Sequence, residues 1–146
     1  MRFDLRVPFA PVCVLALSLL LAGCSGNKNI ASVTGTVYLD GEPLPKAFLI
    51  FTPQEGAGAP SFGRTDNYGR YQMIFSTNTK GAWIGRNRVT ISTADAISPE
   101  KTTPEVVPSR YNQKSELYEE VEPGSNQIDF DLEGDGHIKK ELPYTG

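Results

Sequence analysis

Hydrophobic and polar positions alternate in short runs along most of the chain. In VTGTVYL (33–39), Val33, Val37 and Leu39 share one face, and in QIDFDLE (127–133) three apolar residues alternate with acidic ones. Alternation with a period of two, in residues that are often β-branched or aromatic, is typical of a half-buried β-strand. The same pattern predicts strands in five further runs: 47–53, 62–65, 70–75, 88–93 and 116–121.

Turn signals separate these runs, and no segment repeats apolar residues at the helical spacing. Asp40-Gly41, DNYG (66–69) and PGSN (123–126) are rich in the residues that favour turns. About seven short strands with regular turns predict an all-β protein, an antiparallel β-sandwich. The run 47–53 is apolar on both of its faces, so we expect it to be covered on both sides or to lie near a partner.

The start of the chain has a different pattern. Arg2 and Arg6 precede an apolar run (12–22) that is shorter than the about 20 residues of a membrane-spanning helix. The run ends in LAGC (21–24), which resembles the bacterial lipobox, where a signal peptidase cuts before the cysteine. The predicted organisation therefore has four parts. They are a lipoprotein signal peptide (1–23), a tether (24–31), a β-sandwich (32–133) and a flexible tail (134–146).

The lipobox resemblance implies that Cys24 carries a lipid anchor. A thioether-linked diacylglycerol and an amide-linked acyl chain such as palmitate would together hold the protein firmly at a membrane. Ser25 stands where an aspartate often retains lipoproteins at the inner membrane, so the outer membrane is favoured. We expect a lipid-anchored protein of the cell envelope. The alternative is an ordinary signal peptide followed by a chance cysteine.

Composition excludes several classes of function. Of the two cysteines, Cys13 would leave with the signal peptide, so we expect neither a disulfide nor a cysteine-based metal site. The formal net charge is −3. Because nucleic-acid binding requires a concentrated basic face, no nucleic-acid partner is expected.

Three motifs together resemble a known family. They are GTVYLDGEPLPKAFLIFTP (35–53), GRTDNYGRYQMIF (63–75) and GRNRVTIST (85–93). They are similar to the carboxypeptidase regulatory-like domain, a transthyretin-like (prealbumin-like) β-sandwich. The later VPSRYN, SELYEEV and PGSNQIDFDL resemble small bacterial lipoproteins that carry this domain. The resemblance implies an accessory or interaction module and no biochemical activity.

The TDNYG motif is explained by turn chemistry. Asp66 can accept backbone N–H bonds across its own turn, and Gly69 can adopt a positive φ without a clash. We therefore predict that Asp66 and Gly69 form a structural turn. The alternative is that Asp66 is a ligand or an acid.

The chain offers no catalytic constellation, so we predict that it is not an enzyme. Its one histidine, His137, lies in the predicted tail, where neighbours would not hold it as a general base. The transthyretin superfamily includes 5-hydroxyisourate hydrolases, which use a histidine near the start of the domain and a C-terminal Tyr-Arg-Gly-Ser. Residues 32–40 contain no histidine and the chain ends in PYTG, so both features are missing.

An acidic run near the end of the chain imitates a calcium loop. DFDLEGD (129–135) has acidic residues at the first, third and fifth positions, but the twelfth position falls on Lys140, where a bidentate glutamate is required. The run fits a strand with an acidic outer face better. We expect no metal and no cofactor.

The segment 94–115 is the best place for a binding function. Long loops without regular structure are often functional. Arg110, Tyr111 and Asn112 would form a binding tip with Trp83 from the predicted loop 76–85, since aromatic rings beside polar donors suit sugars or proteins. The alternative, which we favour, is a segment that only covers a sheet edge.

These observations predict a non-enzymatic, lipid-anchored β-sandwich that contacts envelope proteins or polysaccharide. The alternative is a carbohydrate-binding module that uses the loop aromatics Trp83 and Tyr111. A hydrolase is the least favoured hypothesis.

Overall fold

The computed structural model describes residues 27–94 and 104–136. The predicted signal peptide, Cys13, Cys24 and His137 lie outside the described residues. Within them the chain forms twelve strands and one 3₁₀ turn (Ser109–Tyr111). The strands are β1 (Ile30–Leu39), β2 (Glu42–Pro43), β3 (Phe48–Pro53), β4 (Ser61–Arg64), β5 (Arg70–Gln72), β6 (Ile74–Ser76), β7 (Thr79–Lys80), β8 (Ala82–Trp83), β9 (Gly85–Ser92), β10 (Leu117–Val121), β11 (Ser125–Gln127) and β12 (Phe130–Leu132).

Both sheets have six strands, and we call the one with fewer strand residues the smaller sheet; it is built around β1. On one side β1 pairs in antiparallel fashion with β8, β5 and β2 in turn, and on the other side it pairs in parallel with β11 and then β12. At its start Ile30 lies opposite Trp83, and at its end Leu39 lies opposite Leu132. We call these the proximal and the distal end of the sandwich. Nine residue steps of about 3.3 Å separate them by roughly 30 Å.

The larger sheet has the strand order β10-β9-β3-β4-β6-β7 and is antiparallel throughout. β3 lies at its centre, with β9 on one side and β4 on the other. Strict alternation places Leu49 and Phe51 of β3 inward, both fully buried. The opposite residues Phe48 and Ile50 point to the outer side, where they are half-buried.

The inward faces of the two sheets form one hydrophobic core. Its aromatic centre is Phe130 of β12, whose ring meets Phe51 edge-on at 6.3 Å and lies 6.2 Å from Tyr71. The Tyr71 hydroxyl donates a 2.7 Å hydrogen bond to the carbonyl of Ile128, and burial raises the pKa of this hydroxyl. The core therefore joins the middle of the chain to its C-terminal strands.

The structure bears out an all-β protein with two packed sheets. It has more strands than the predicted seven because the predicted strands 70–75 and 127–133 are each divided between two strands, and because β2, β7 and β8 lie where no strand was predicted. The predicted strand 70–75 changes sheets at Met73, since β5 pairs with β1 and β6 pairs with β4. The predicted loop 76–85 contains β7 and β8, and the antiparallel arrangement does not extend to β11 and β12.

The predicted tether and tail are also shorter than expected within the described residues. Ile30 and Ala31 already belong to β1. After β12, Gly134 N donates a 2.8 Å hydrogen bond to Asp40 Oδ1, so the chain stays attached to the distal end. Across 27–94 and 104–136, no helix has the length and apolar character needed to cross a membrane.

Candidate functional site

In the turn of residues 66–69, both oxygens of the Asp66 carboxylate bond to nearby residues of the same chain. Asp66 Oδ1 accepts hydrogen bonds of 2.9 Å from the backbone N–H groups of Tyr68 and Arg70, and Oδ2 pairs with the Arg70 guanidinium at 2.9 Å. The Arg70 backbone N–H is the main reason that the pKa of Asp66 lies below its usual value. Gly69 has a φ of 73°, and a Cβ there would lie 2.6 Å from the Val37 carbonyl oxygen. These contacts are those of a structural turn.

The segment 104–115 begins with a carboxylate that the sequence analysis did not single out. Glu105 Oε1 accepts hydrogen bonds of 2.9 to 3.0 Å from Thr93 N, Thr93 Oγ1 and Val107 N, and its Oε2 accepts one from Ser92 Oγ. Burial opposes ionisation of Glu105, but these hydrogen bonds outweigh it and hold the pKa below its ordinary value. Glu105 thus fastens the segment to the end of β9.

Three of the four predicted binding residues lie together at the distal end. The Arg110 guanidinium bonds to Asp135 and to the Glu133 carbonyl, and it lies 4.8 Å from the centre of the Tyr111 ring. Tyr111 Oη accepts a 3.3 Å hydrogen bond from Glu133 N. The Arg110 and Tyr111 side chains therefore connect the segment to the chain after β12, whereas Asn112 Nδ2 donates a 2.9 Å hydrogen bond to Val107 O within the segment.

Trp83 does not join them, which corrects the predicted common tip. It lies in β8 opposite Ile30, at the proximal end, whereas Tyr111 contacts the residue that follows Leu132 at the distal end. The Trp83 ring packs 6.2 Å from the Phe75 ring and under the loop of residues 54–60. A Cβ on Gly58 would lie 2.5 Å from Trp83 Cδ2, so only glycine allows this packing.

The larger sheet exposes an apolar surface on its outer side. Ile50, Phe62 and Ile74 lie directly opposite one another on β3, β4 and β6. The Phe48 ring stacks beside the Phe62 ring at 5.9 Å with an interplanar angle of 21°. Phe62 and Ile74 remain 44% and 47% exposed. We call these four residues, Phe48, Ile50, Phe62 and Ile74, the outer apolar face.

A depression lies on each side of this face. A cleft of about 500 Å³ separates β3 and β9 from the segment 104–115, with Phe48 and Ile50 as floor and Glu105, Asn112 and Gln113 as wall. A shallower groove of about 410 Å³ runs along β4 and β6 beside Phe62, Ile74 and Ser76. The outer side of the larger sheet therefore has a cleft walled by the segment 104–115 on the β9 side and an open groove on the β6 side.

The arrangement is suited to binding. The Glu105 and Asn112 side chains in the wall of the cleft are already hydrogen-bonded within the chain. In the described part of the chain, no group of three or more His, Cys, Asp or Glu side chains is placed to hold a metal ion. What the surface offers to a partner is apolar area.

Sequence reasoning found one signal of this surface but placed the site elsewhere. The run 47–53 is apolar on both faces, and its outward residues Phe48 and Ile50 are part of the outer apolar face. Phe62 and Ile74 sit in runs too short to show which side would be covered. Comparison with known proteins adds no relative, since no family model, no curated protein and no solved structure matches the chain.

Proposed function

We propose that this protein is a non-enzymatic, lipid-anchored interaction module of the cell envelope. Its anchor is a lipid on Cys24, its contact surface is the outer apolar face, and the outer membrane is its favoured location. The carboxypeptidase regulatory-like motifs and the lipobox resemblance support this proposal, as does the two-layered β fold.

One observation carries the proposal: four large apolar side chains on three neighbouring strands form a continuous surface on the outside of the sandwich. Exposed apolar residues scattered singly need no explanation, but a contiguous patch marks an interaction site. The outer apolar face spans three neighbouring strands and is bordered by two depressions.

The position of the anchor is consistent with this use. Three Cα–Cα steps lead from Cys24 to Asn27, the first described residue, so these two Cα atoms lie within about 11 Å of each other. Asn27 lies beside the start of β1, because its carbonyl accepts a 3.0 Å hydrogen bond from Ile30 N. A lipid on Cys24 would therefore hold the proximal end near the membrane and leave the outer apolar face at its side accessible.

A second candidate function is carbohydrate binding, and the cleft favours it. An aromatic floor at Phe48 beside the side-chain amide of Gln113 is a combination that sugars recognise. Trp83 and Tyr111 would then not act together, since they lie at opposite ends of β1. Titration of envelope polysaccharide fragments by calorimetry tests this candidate, with Phe48→Ala as the variant that should abolish the heat and Trp83→Phe as the variant that should not.

Two measurements test the main proposal. Mass spectrometry of the N-terminal peptide should show a diacylglycerol on Cys24, and Cys24→Ala should leave the protein unlipidated and released from membranes. In membranes, a photo-crosslinking side chain at position 62 should form protein adducts, whereas the same group at Tyr68 should not. Tyr68 is exposed but lies in the 66–69 turn, away from the outer apolar face. An unmodified Cys24, or equal adducts at both positions, would contradict the proposal.

A further inference from the structure

We propose that the occupant of the outer apolar face is a second copy of this chain, packed face to face about a two-fold axis parallel to the strands. This inference rests on the proposed function, because it uses the lipid anchor on Cys24 and treats the outer apolar face as a contact surface.

The anchor selects the direction of the axis. Two copies held in one membrane must both have their proximal ends at that membrane. A two-fold axis that lies in the interface parallel to the strands leaves both proximal ends on the same side. A two-fold axis perpendicular to the strands in the same interface would send the two anchors in opposite directions, about 30 Å apart.

The direction of the axis then determines which strands meet. It reverses the strand order across the interface, so that β3 of one copy lies over β4 of the other and β9 lies over β6. The register of the sheet places Thr90, Ile50, Phe62 and Ile74 in one row. With the axis between β3 and β4, Ile50 meets the partner's Phe62, and Thr90 meets the partner's Ile74.

The charged and aromatic residues beside this row match in the same arrangement. Phe48 and Arg64 lie opposite each other within one sheet, so the axis sets each Phe48 ring against the partner's Arg64, a cation–π arrangement. Lys80 lies beside Ile74 at one margin. At the other margin, Glu116 directly precedes β10, in line with Thr90, and would meet the partner's Lys80.

The shape of the surface also agrees with a two-fold partner. The segment 104–115 forms the wall of the cleft on the β9 side, and the groove beside Ile74 and Ser76 lies on the β6 side. Reversal of the strand order brings the wall of each copy toward the groove of the other. A surface of this kind is self-complementary, which is the requirement for a symmetric dimer.

Membrane lipid fits this face less well than a second copy does. The chain enters the sandwich through β1, which belongs to the smaller sheet, and packed sheets lie about 10 Å apart. The outer apolar face is on the far side of the larger sheet. The stretch from Cys24 to Asn27 spans at most about 11 Å, which leaves little length for the sandwich to turn that face to the membrane.

Photo-crosslinking in membranes tests the inference at the level of single residues. In the full-length chain, p-benzoylphenylalanine replaces Ile74, and adducts are digested with trypsin. We expect a product of twice the chain mass in which the peptide 71–80 is joined to the peptide 89–101, which contains Thr90. Within one chain these positions are three strand spacings apart, about 14 Å, so the adduct must join two copies. Tyr68 carries the same group in the control and should form no such adduct.

A second variant tests whether the self-adduct depends on the proposed dimer contact or only on exposure of the surface. Phe62→Lys should reduce the position-74 self-adduct at least tenfold, since it buries a charge against the partner's Ile50, while Tyr68→Lys should leave the yield unchanged. Adducts from position 74 to other proteins only would overturn the dimer and leave the proposed function standing. Adducts to lipid only, or no adduct from lipidated protein, would overturn both. A self-adduct that Phe62→Lys does not reduce would also overturn the two-fold arrangement.

Discussion

The outer sides of the two sheets follow the same alternation and have opposite character. At the outer side of the smaller sheet, polar groups bond to one another: Thr34 Oγ1 donates to Gln127 Oε1 at 3.4 Å, and Thr36 N donates to Asp129 Oδ1 at 2.7 Å. At the centre of the larger sheet the outward residues are Phe48, Ile50, Phe62 and Ile74, which form an apolar surface between two depressions.

The difference between the two outer sides distinguishes the contacts that stabilise the fold from the surface that is available to a partner. Strand pairing and core burial are present in both sheets, so neither outer side is needed to form the sandwich. The smaller sheet uses its outer side to join the first and last described strands through polar contacts. The larger sheet leaves apolar area uncovered, which costs solubility and is typical of a contact surface.

Gly35→Val is the strongest test of the close contact between β1 and Ile128 in the smaller sheet. A Cβ at Gly35 would lie 1.7 Å from the Ile128 carbonyl oxygen. In the variant, the residues that connect β11 to β12 must therefore move away from β1. We expect a loss of more than about 4 kcal/mol in the free energy of unfolding, measured by urea denaturation. Thr34→Val, one residue away on the outer side, should change it by no more than about 1 kcal/mol. Similar effects of the two variants would contradict the close approach of Ile128 to β1.

Alanine variants of two phenylalanines, Phe51 and Phe62, allow a direct comparison of the inner and outer sides of the larger sheet. Phe51→Ala empties a fully buried position and should cost about 3–5 kcal/mol in unfolding free energy. Phe62→Ala, on the neighbouring strand but 44% exposed, should cost less than about 1 kcal/mol while it abolishes the adducts that define the contact surface. Thermal and urea unfolding of both variants provide the measurement. Equal costs would mean that the outer apolar face is part of the core.

Glu105 tests whether the wall of the cleft is held by a carboxylate. Glu105→Ala leaves the N–H groups of Thr93 and Val107 without their acceptor and should cost about 1–3 kcal/mol, with the control Glu55→Ala near zero. The pKa of Glu105 is lower folded than unfolded. Its stabilising effect is therefore present above the unfolded value and disappears as the pH falls through the folded pKa. Unfolding curves between pH 7 and pH 3 should converge for the two proteins, and a constant difference would assign the cost to packing.

The smallest expected effect comes from Glu119, on the inner side of β10. Burial raises the pKa of Glu119, so its ionisation opposes folding and stability is lost as the pH rises through the folded pKa. Glu119→Gln should raise the melting temperature slightly at pH 7 and have no effect near pH 4. Glu120→Gln, the outward neighbour, serves as the matched control. A lower melting temperature for Glu119→Gln at pH 7 would show that the carboxylate has a partner that stabilises it.

The sequence predicted the strands better than their partners. The runs 33–39, 88–93 and 116–121 all contain strands, because the period of two depends only on neighbouring residues. The change of sheet at Met73 could not be predicted, since it depends on β1 and β4 competing for the two halves of one run. The parallel pairing of β1 with β12 joins residues such as Val37 and Phe130, and no local signal encodes that pairing.

The candidate site shows the same limit. Trp83 and Tyr111 are both aromatic residues in stretches predicted to be loops, and composition alone could not reveal that they lie at opposite ends of β1. Glu105 was missed because its role depends on Ser92 and Thr93, which only the path of the segment brings near. The double-sided apolar run 47–53 was the one local sign of the outer apolar face.

By itself, the sequence determined which residues alternate, where the chain turns and that the described part is built from strands, because these properties depend on side-chain chemistry a few residues apart. The tertiary structure decided which strands pair, which apolar residues remain uncovered and which candidate residues meet. Those outcomes depend on packing between segments as much as 94 residues apart, as in the hydrogen bond from Asn126 Nδ2 to the Ser32 carbonyl of β1. Only the assembled core selects one pairing among many.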